Sequence, residues 1–416
     1  MGPGRVACLH LPRSGRNPHR RHRKQFAASN GRDSSVTNPG VTRTLSRRSL
    51  LAGAGAGLLG LGLSACGGNP DALKSNGQGD GGSGNSKQLV VFDGGGAWGA
   101  AQRKAFFEPF QKETGIKVIP APAPPAAQLR TAIASGKPGM DVVDLNGARI
   151  GSWTRDGLLQ KIDYSAWKDS SLKDAFSPYP ALETAVPAIV FAVQLAYDKN
   201  LTGRELTNWA DMWDAAVKGK RSFRTGDGPG GCTLEIALLA DGVKPENLYP
   251  LDMDRALRKL SEVKPQVLKF WDNGAESIQM LVDHQISAVA AWNGRIQSAI
   301  ADGAKNISST FEQAVVQIDY WAIPKGCSNV EGATRFIEFA SRPERQAEFA
   351  QLITYAPTIP AAFDHIPDER KKLLVTAPGI VEKTVLQNTD YWSSIGAGGK
   401  TNEEIAIDRW QKWLAG

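Results

Sequence analysis

The chain has 416 residues, of which 41% are hydrophobic and 22% charged, and it carries a formal charge of +7. That is globular composition, long enough for about two or three domains. The basic excess suggests nucleic acid, but eleven Lys and Arg against the single acid Asp33 put a net +10 in residues 1–65 and leave about −3 for residues 66–416, which argues against a basic phosphate-binding groove.

The first element is a leader. Arg47 and Arg48 precede an apolar run from Leu50 to about Leu63, too short and glycine-rich for a comfortable membrane span. A charged region, a short apolar core and a small-residue site make a signal peptide. The paired arginines resemble the twin-arginine export signal; Leu50 stands where that signal has an aromatic, so general secretion stays open. Leu63-Ser64-Ala65-Cys66-Gly67 resembles the bacterial lipobox, with Cys66 as the acylated residue and membrane attachment through its acyl chains. Gly55, Gly57 and Gly60 match a dinucleotide fingerprint but lie inside the apolar run with no strand before them, so no cofactor is expected. Residues 66–87, poor in apolar side chains, read as a tether.

The folded body begins at Leu89-Val90-Val91-Phe92, a short buried strand followed by a glycine turn. A helix is expected over Ala100–Glu113, broken or kinked by Pro109 and capped by Gly115. Strands follow at 116–119 and 141–145, with helices near 128–135 and 150–156. Val186–Tyr197 reads as strand crossing between lobes, Trp209–Val217 as helix, and Ser287–Trp292 and Tyr320–Pro324 as strands, with a helix over Val330–Phe339. Strands alternating with helices predict an α/β fold on a parallel sheet, and about 330 residues exceed one ordinary core, so two lobes are expected. Of the four cysteines, Cys8, Cys66, Cys232 and Cys327, none forms a CxxC pair, and only His284 and His365 lie beyond the leader, so no metal site is expected.

Several segments in order resemble the periplasmic spermidine/putrescine-binding proteins of ABC importers. They are Glu113-Thr114-Gly115-Ile116-Lys117-Val118, Asp156-Gly157-Leu158-Leu159, Asn208-Trp209-Ala210-Asp211-Met212-Trp213, Ala291-Trp292-Asn293-Gly294-Arg295, Trp321-Ala322-Ile323-Pro324 and Tyr355-Ala356-Pro357. The resemblance implies the two-lobe type II periplasmic-binding fold, hinged on two crossover strands around a central ligand cleft. The expected division is residues 88–193 plus 319–357 in lobe 1 and 194–318 plus 358–416 in lobe 2.

The resemblance also implies site residues, each with a plainer alternative. Trp292, ending a strand, matches a tryptophan that stacks on the ligand's carbon chain; the alternative is core packing. Asp319 matches an aspartate that pairs with a ligand ammonium, and Tyr355 matches a pocket tyrosine. Trp98 and Asp93 follow the first strand, where the family places pocket residues, and Asn146 matches a small polar position that is otherwise a turn residue. Arg295 is unusual beside a cation; it suits a ligand carboxylate or a nearby acid. The glycine-rich loop 225–232 departs most: Pro229 and Cys232 stand where polyamine binders carry acids, and neither Asp227 nor Glu235 aligns as a replacement.

The resulting expectation is a monomeric, lipid-anchored solute receptor on the outer face of the cell membrane. It delivers a small amine-bearing solute, polyamine-like or amino-acid-like, to ABC permease subunits, without cofactor or nucleic acid. A lipid-anchored sensor with the same fold is the alternative. An enzyme is disfavoured, since there is no G-x-S-x-G, no H-E-x-x-H and no nucleophile with a base nearby.

Overall fold

The computed structural model describes residues 87–122, 124–226 and 228–416. The leader, Cys66, all but the end of the tether, and Asp227 lie outside the described residues.

The apolar run at the start of the body forms β1 (Gln88–Phe92), paired in parallel with β2 (Lys117–Ala121). Val91 of β1 also bridges Val142, next to β3 (Val143–Asn146). Between β1 and β2 the chain is helical throughout, as an α-helix over Gly96–Gln102, a π-turn over Arg103–Phe107 and an α-helix over Glu108–Thr114. The expected break at Pro109 is absent. The widened turn just ahead of Pro109 shifts the hydrogen-bond register, so the missing N–H is absorbed in continuous helix. Gly115 caps the helix at φ 73°.

Two strands run much longer than the rest. β4 (Ala185–Asp198) spans 14 residues, all buried, and β8 (Ile307–Ala322) spans 16. They pair antiparallel from Ala185↔Ala322 to Asp198↔Ile307, with register shifts at Pro187/Ile189 and Val193/Leu195. At one end β8 pairs with β3, from Val143↔Ala322 to Asn146↔Asp319. At the other end β4 pairs with β7 (Ala288–Trp292), from Val193↔Trp292 to Tyr197↔Ala288. β5 (Arg221–Arg224) lies parallel to β7 and to β6 (Val267–Trp271), and β9 (Val385–Leu386) lies parallel to β8. The sheet is therefore mixed rather than parallel, because the two long strands run against each other. The short strand expected at Tyr320–Pro324 is only the apolar end of β8. Its first half, from Ser308 to Gln313, is partly exposed throughout and gives a weak sequence signal.

The buried side chains gather mainly in two large cores. One joins Leu89, Phe106, Phe110 and Trp153 to Trp321, Phe336 and Phe349. The other joins Trp209, Met212, Phe223 and Leu260 to Trp392 and Trp410. Each fully buried large apolar side chain contributes about 1.5–3 kcal/mol, so each region has an apolar core of its own. This is the two-lobe α/β fold. A smaller cluster sets Ala347, Ala362 and Leu374 against Val190, Ala192, Ala314 and Val316 in the middle of the long strands.

The helix expected over Trp209–Val217 is reduced to one 3-10 turn, Trp209–Met212. Arg221, fully buried, donates to the carbonyls of Met212, Val217, Lys218 and Gly219. Those carbonyls point inward at a guanidinium instead of along a helix axis, which is why propensity misled there.

Candidate functional site

A cavity of about 560 Å³ opens at the carboxyl ends of five strands. Asp93 follows β1, Asn146 ends β3, Arg224 ends β5, Asp272 follows β6 and Trp292 ends β7. Ligand sites in open α/β sheets form in such a crevice, where loops and helix starts converge, and the volume suits a small solute.

All seven residues singled out from the sequence, Asp93, Trp98, Asn146, Trp292, Arg295, Asp319 and Tyr355, line this cavity. Their roles differ. Trp98 is largely buried, edge-on to Phe92 at 5.3 Å and to Tyr355 at 5.8 Å. Tyr355 is buried beside Phe191, with centroids 5.7 Å apart, and burial holds its hydroxyl far above the usual tyrosine range. Trp292 is half-buried, edge-on to Trp271 at 5.2 Å, and its indole donates to the Gly230 carbonyl at 3.2 Å. Gly274 is required beneath that ring, since a Cβ there would lie 2.3 Å from it. Asp93 is occupied: it pairs with Arg103 and accepts from the Gly95 amide at 2.8 Å.

Asn146 combines both readings made of it. As a cap it accepts from the Ala148 amide at 3.1 Å, and its Nδ2 donates to Asp319 at 3.3 Å. Arg295 reaches the Gly94 carbonyl at 2.9 Å and lies 5.8 Å from the Trp292 ring. Among the described residues its buried Nε has no acceptor.

Sequence reasoning missed Asp144, Arg149, Phe191, Arg224 and Asp272 in the cavity wall. Asp144 had a signal: it sits two residues before Asn146 on β3, so both face one side. Burial and the neighbouring Asp319 charge hold Asp144 well above the usual carboxylate range. Asp319 is pushed up to about 6, chiefly by burial, against the pull of Arg149 and Arg224. Arg149 also pairs with Glu403 at 2.6 Å.

Glu235 does not line the cavity. It is fully buried behind the glycine loop, where it accepts from Tyr249 at 3.0 Å, Gln387 at 3.1 Å and Trp392 at 2.9 Å. The Pro229 carbonyl of that loop accepts from Gln317 at 2.9 Å and Gln387 at 2.8 Å.

The profile of the bacterial extracellular solute-binding proteins matches residues 105–374. The chain belongs to that family. A gamma-aminobutyric acid-binding protein of Pseudomonas aeruginosa is 32% identical to this solute-binding protein over 337 residues, 79% of this chain and 92% of its own length. A spermidine/putrescine-binding periplasmic protein of Escherichia coli is 26% identical over 322 residues, 74% of this chain and 87% of its own. Among solved structures, a periplasmic binding protein of A. tumefaciens in complex with agropinic acid superposes with a TM-score of 0.71 at 31% identity, over 79% of this chain and 99% of its own. These relatives are solute-binding proteins and not enzymes, and they work outside the cytoplasm, so this solute-binding protein is an exported one.

Proposed function

We propose that this solute-binding protein captures a small amine-bearing solute that also carries an acidic or strongly accepting end, and hands it to ABC permease subunits. The observation that carries the reading is the charge pattern of the cavity. Two neighbouring carboxyls, Asp144 and Asp319, share it with Asp272, with Asp93 paired to Arg103, and with the guanidinium groups of Arg149, Arg224 and Arg295, between the aromatic walls of Trp98, Phe191, Trp292 and Tyr355. A buried ammonium needs a charged or multiply hydrogen-bonded partner, and Asp319 is the partner here. The carbon chain lies on Trp292. The guanidinium of Arg295 at the cavity wall suits an oxygen at the solute's far end. Pro229 and Cys232 offer no second ammonium site, which favours an amino-acid-like solute over a diamine. The binding of gamma-aminobutyric acid and of agropinic acid named for two relatives supports the same choice.

In this reading Cys66 carries the lipid anchor and the following residues are its tether. Residues 88–193 plus 319–357 and residues 194–318 plus 358–416 are the lobes that close on the solute, as a monomer, by bending β4 and β8. The test is mass spectrometry of small molecules released by denaturing protein purified from its native host. An amine with an acidic or amide end is expected. A recovered solute without an amine overturns the reading.

A further inference from the structure

Asp144 and Asp319 stand on adjacent antiparallel strands. Asp319 lies directly across from Asn146, and Asp144 is two residues back on the same face of β3, so the two acids are diagonal neighbours across the strands and both line the cavity. The Asn146 amide fixes the Asp319 side of the pair. Asp319 is only 6% exposed and Asp144 is half-buried, so solvent reaches the pair only from the Asp144 side. Two carboxyls that are diagonal neighbours across two strands at one cavity wall repel each other, and both ionise readily only when a cation joins them.

We propose that Asp144 and Asp319 hold one proton between them in the ligand-free protein, and that the ammonium of the solute replaces this proton on binding. The inference rests on the amine reading of the cleft. The exchange balances: the solute brings one positive charge in, the carboxylic proton leaves to solvent, and both carboxylates end up facing the ammonium. No other bond changes. The pair thereby recognises charge as well as shape. A neutral solute of the same outline leaves the proton in place and gains no ion pair.

The surrounding groups fit this assignment. Arg149 at the helix start after β3 and Arg224 at the end of β5 favour the ionised form of Asp319. They leave the proton to Asp144, whose carboxyl stands well above its ordinary range through burial and the Asp319 charge. Tyr355 faces both acids and stays neutral. Arg295 is drawn to Gly94, Asp93 is paired with Arg103, and Asp272 lies at the far wall after β6.

The sign follows from linkage. Because the bound form has lost a proton, affinity rises with pH, by up to about tenfold per pH unit while Asp144 is protonated in the free protein. Below about pH 6, where Asp319 also takes a proton, the dependence steepens.

The experiment has two arms. Infrared difference spectra of wild type against Asp144→Asn, in D₂O near neutral pH without solute, are expected to show a carboxylic acid C=O band lost with Asp144. The same comparison with Glu235→Gln separates out Glu235, another buried acid held above its ordinary range. Asn resembles the neutral acid in size and charge, so the variant is expected to fold. In the second arm, 4-aminobutyrate and putrescine are titrated by calorimetry in buffers of different ionisation heat. Whichever amine binds is expected to release close to one proton from wild type and to bleach the infrared band. Absence of an Asp144 acid band overturns the inference whatever the solute. So does a bound amine that releases no proton, and so does undiminished proton release from Asp144→Asn. If the solute recovered from native protein carries no amine, the functional reading fails first and takes this inference with it.

Discussion

Arg295 is the clearest place to perturb closure of the cleft. Its guanidinium spans from the helix after β7 to the loop after β1, where it donates to the Gly94 carbonyl at 2.9 Å, and the side chain is 7% exposed. Gly94 follows Phe92 of one core, while Arg295 precedes Ile296 of the cluster beneath β7, so the bond joins the two sides of the cleft. Arg295→Ala removes a charge-assisted hydrogen bond, a loss of about 1.5–3 kcal/mol. It also removes a cation–π contact with Trp292 at 5.8 Å, a further loss of about 0.5–1 kcal/mol. If the bond exists only when the sides meet, the hydrogen bond alone shifts the closed-to-open ratio roughly 10- to 150-fold. Apparent affinity falls with the closed fraction. The assay is calorimetric Kd together with the radius of gyration from small-angle scattering at fixed solute. Arg295→Ala is expected to bind at least about tenfold more weakly and to need correspondingly more solute to reach the compact form. An unchanged Kd refutes the reasoning.

Three further outcomes are expected. Gly294→Ala places a Cβ 2.4 Å from the Tyr355 ring, and overpacking of this kind costs about 1–3 kcal/mol, measurable as a lower midpoint in urea. Asp319 is raised to about 6 when folded against 3.8 in its ordinary state, so the folded chain binds more protons between those values. Its contribution to stability therefore grows as pH falls from about 7 to 4, and wild type should gain stability relative to Asp319→Asn over that range while losing affinity for an amine; a constant difference between the two across pH counts against the raised value. Cys66→Ala should free the protein from membranes without altering its fold, as read by fractionation and circular dichroism; membrane retention of the variant contradicts the lipid anchor.

The parts of the site that were legible in the sequence lie at strand ends. Trp292 closes an apolar run, Trp98 follows one, and Asp319 is a lone charge inside the apolar part of β8, so a change of pattern marks each position, and the family resemblance gave them roles. Phe191 was hidden because β4 is buried along its whole length, so alternation carries no information there. Nothing local marks Arg149 and Arg224, since no short window shows that a helix start and a distant strand end share a cavity. Asp144 was legible in principle through its spacing from Asn146. Its meaning depends on Asp319, 175 residues further along the chain, and that pairing exists only once β3 and β8 are in register. The parallel-sheet expectation failed for a related reason. The direction of β4 and β8 is set by how two lobes share two strands, which no short window records.

The central claim is that an amine is held at Asp319 and Trp292, and binding calorimetry tests it most directly. Wild type, Asp319→Asn and Trp292→Ala would be titrated with 4-aminobutyrate, other amino acids, opines, putrescine and spermidine. An amine with an acidic or accepting end is expected to bind wild type best, and Asp319→Asn is expected to weaken it by about 2–4 kcal/mol, the range for breaking a buried charge pair. Trp292→Ala is expected to weaken it as well, by removing the apolar wall. Full-strength binding of the preferred solute by both variants would contradict the placement of the site.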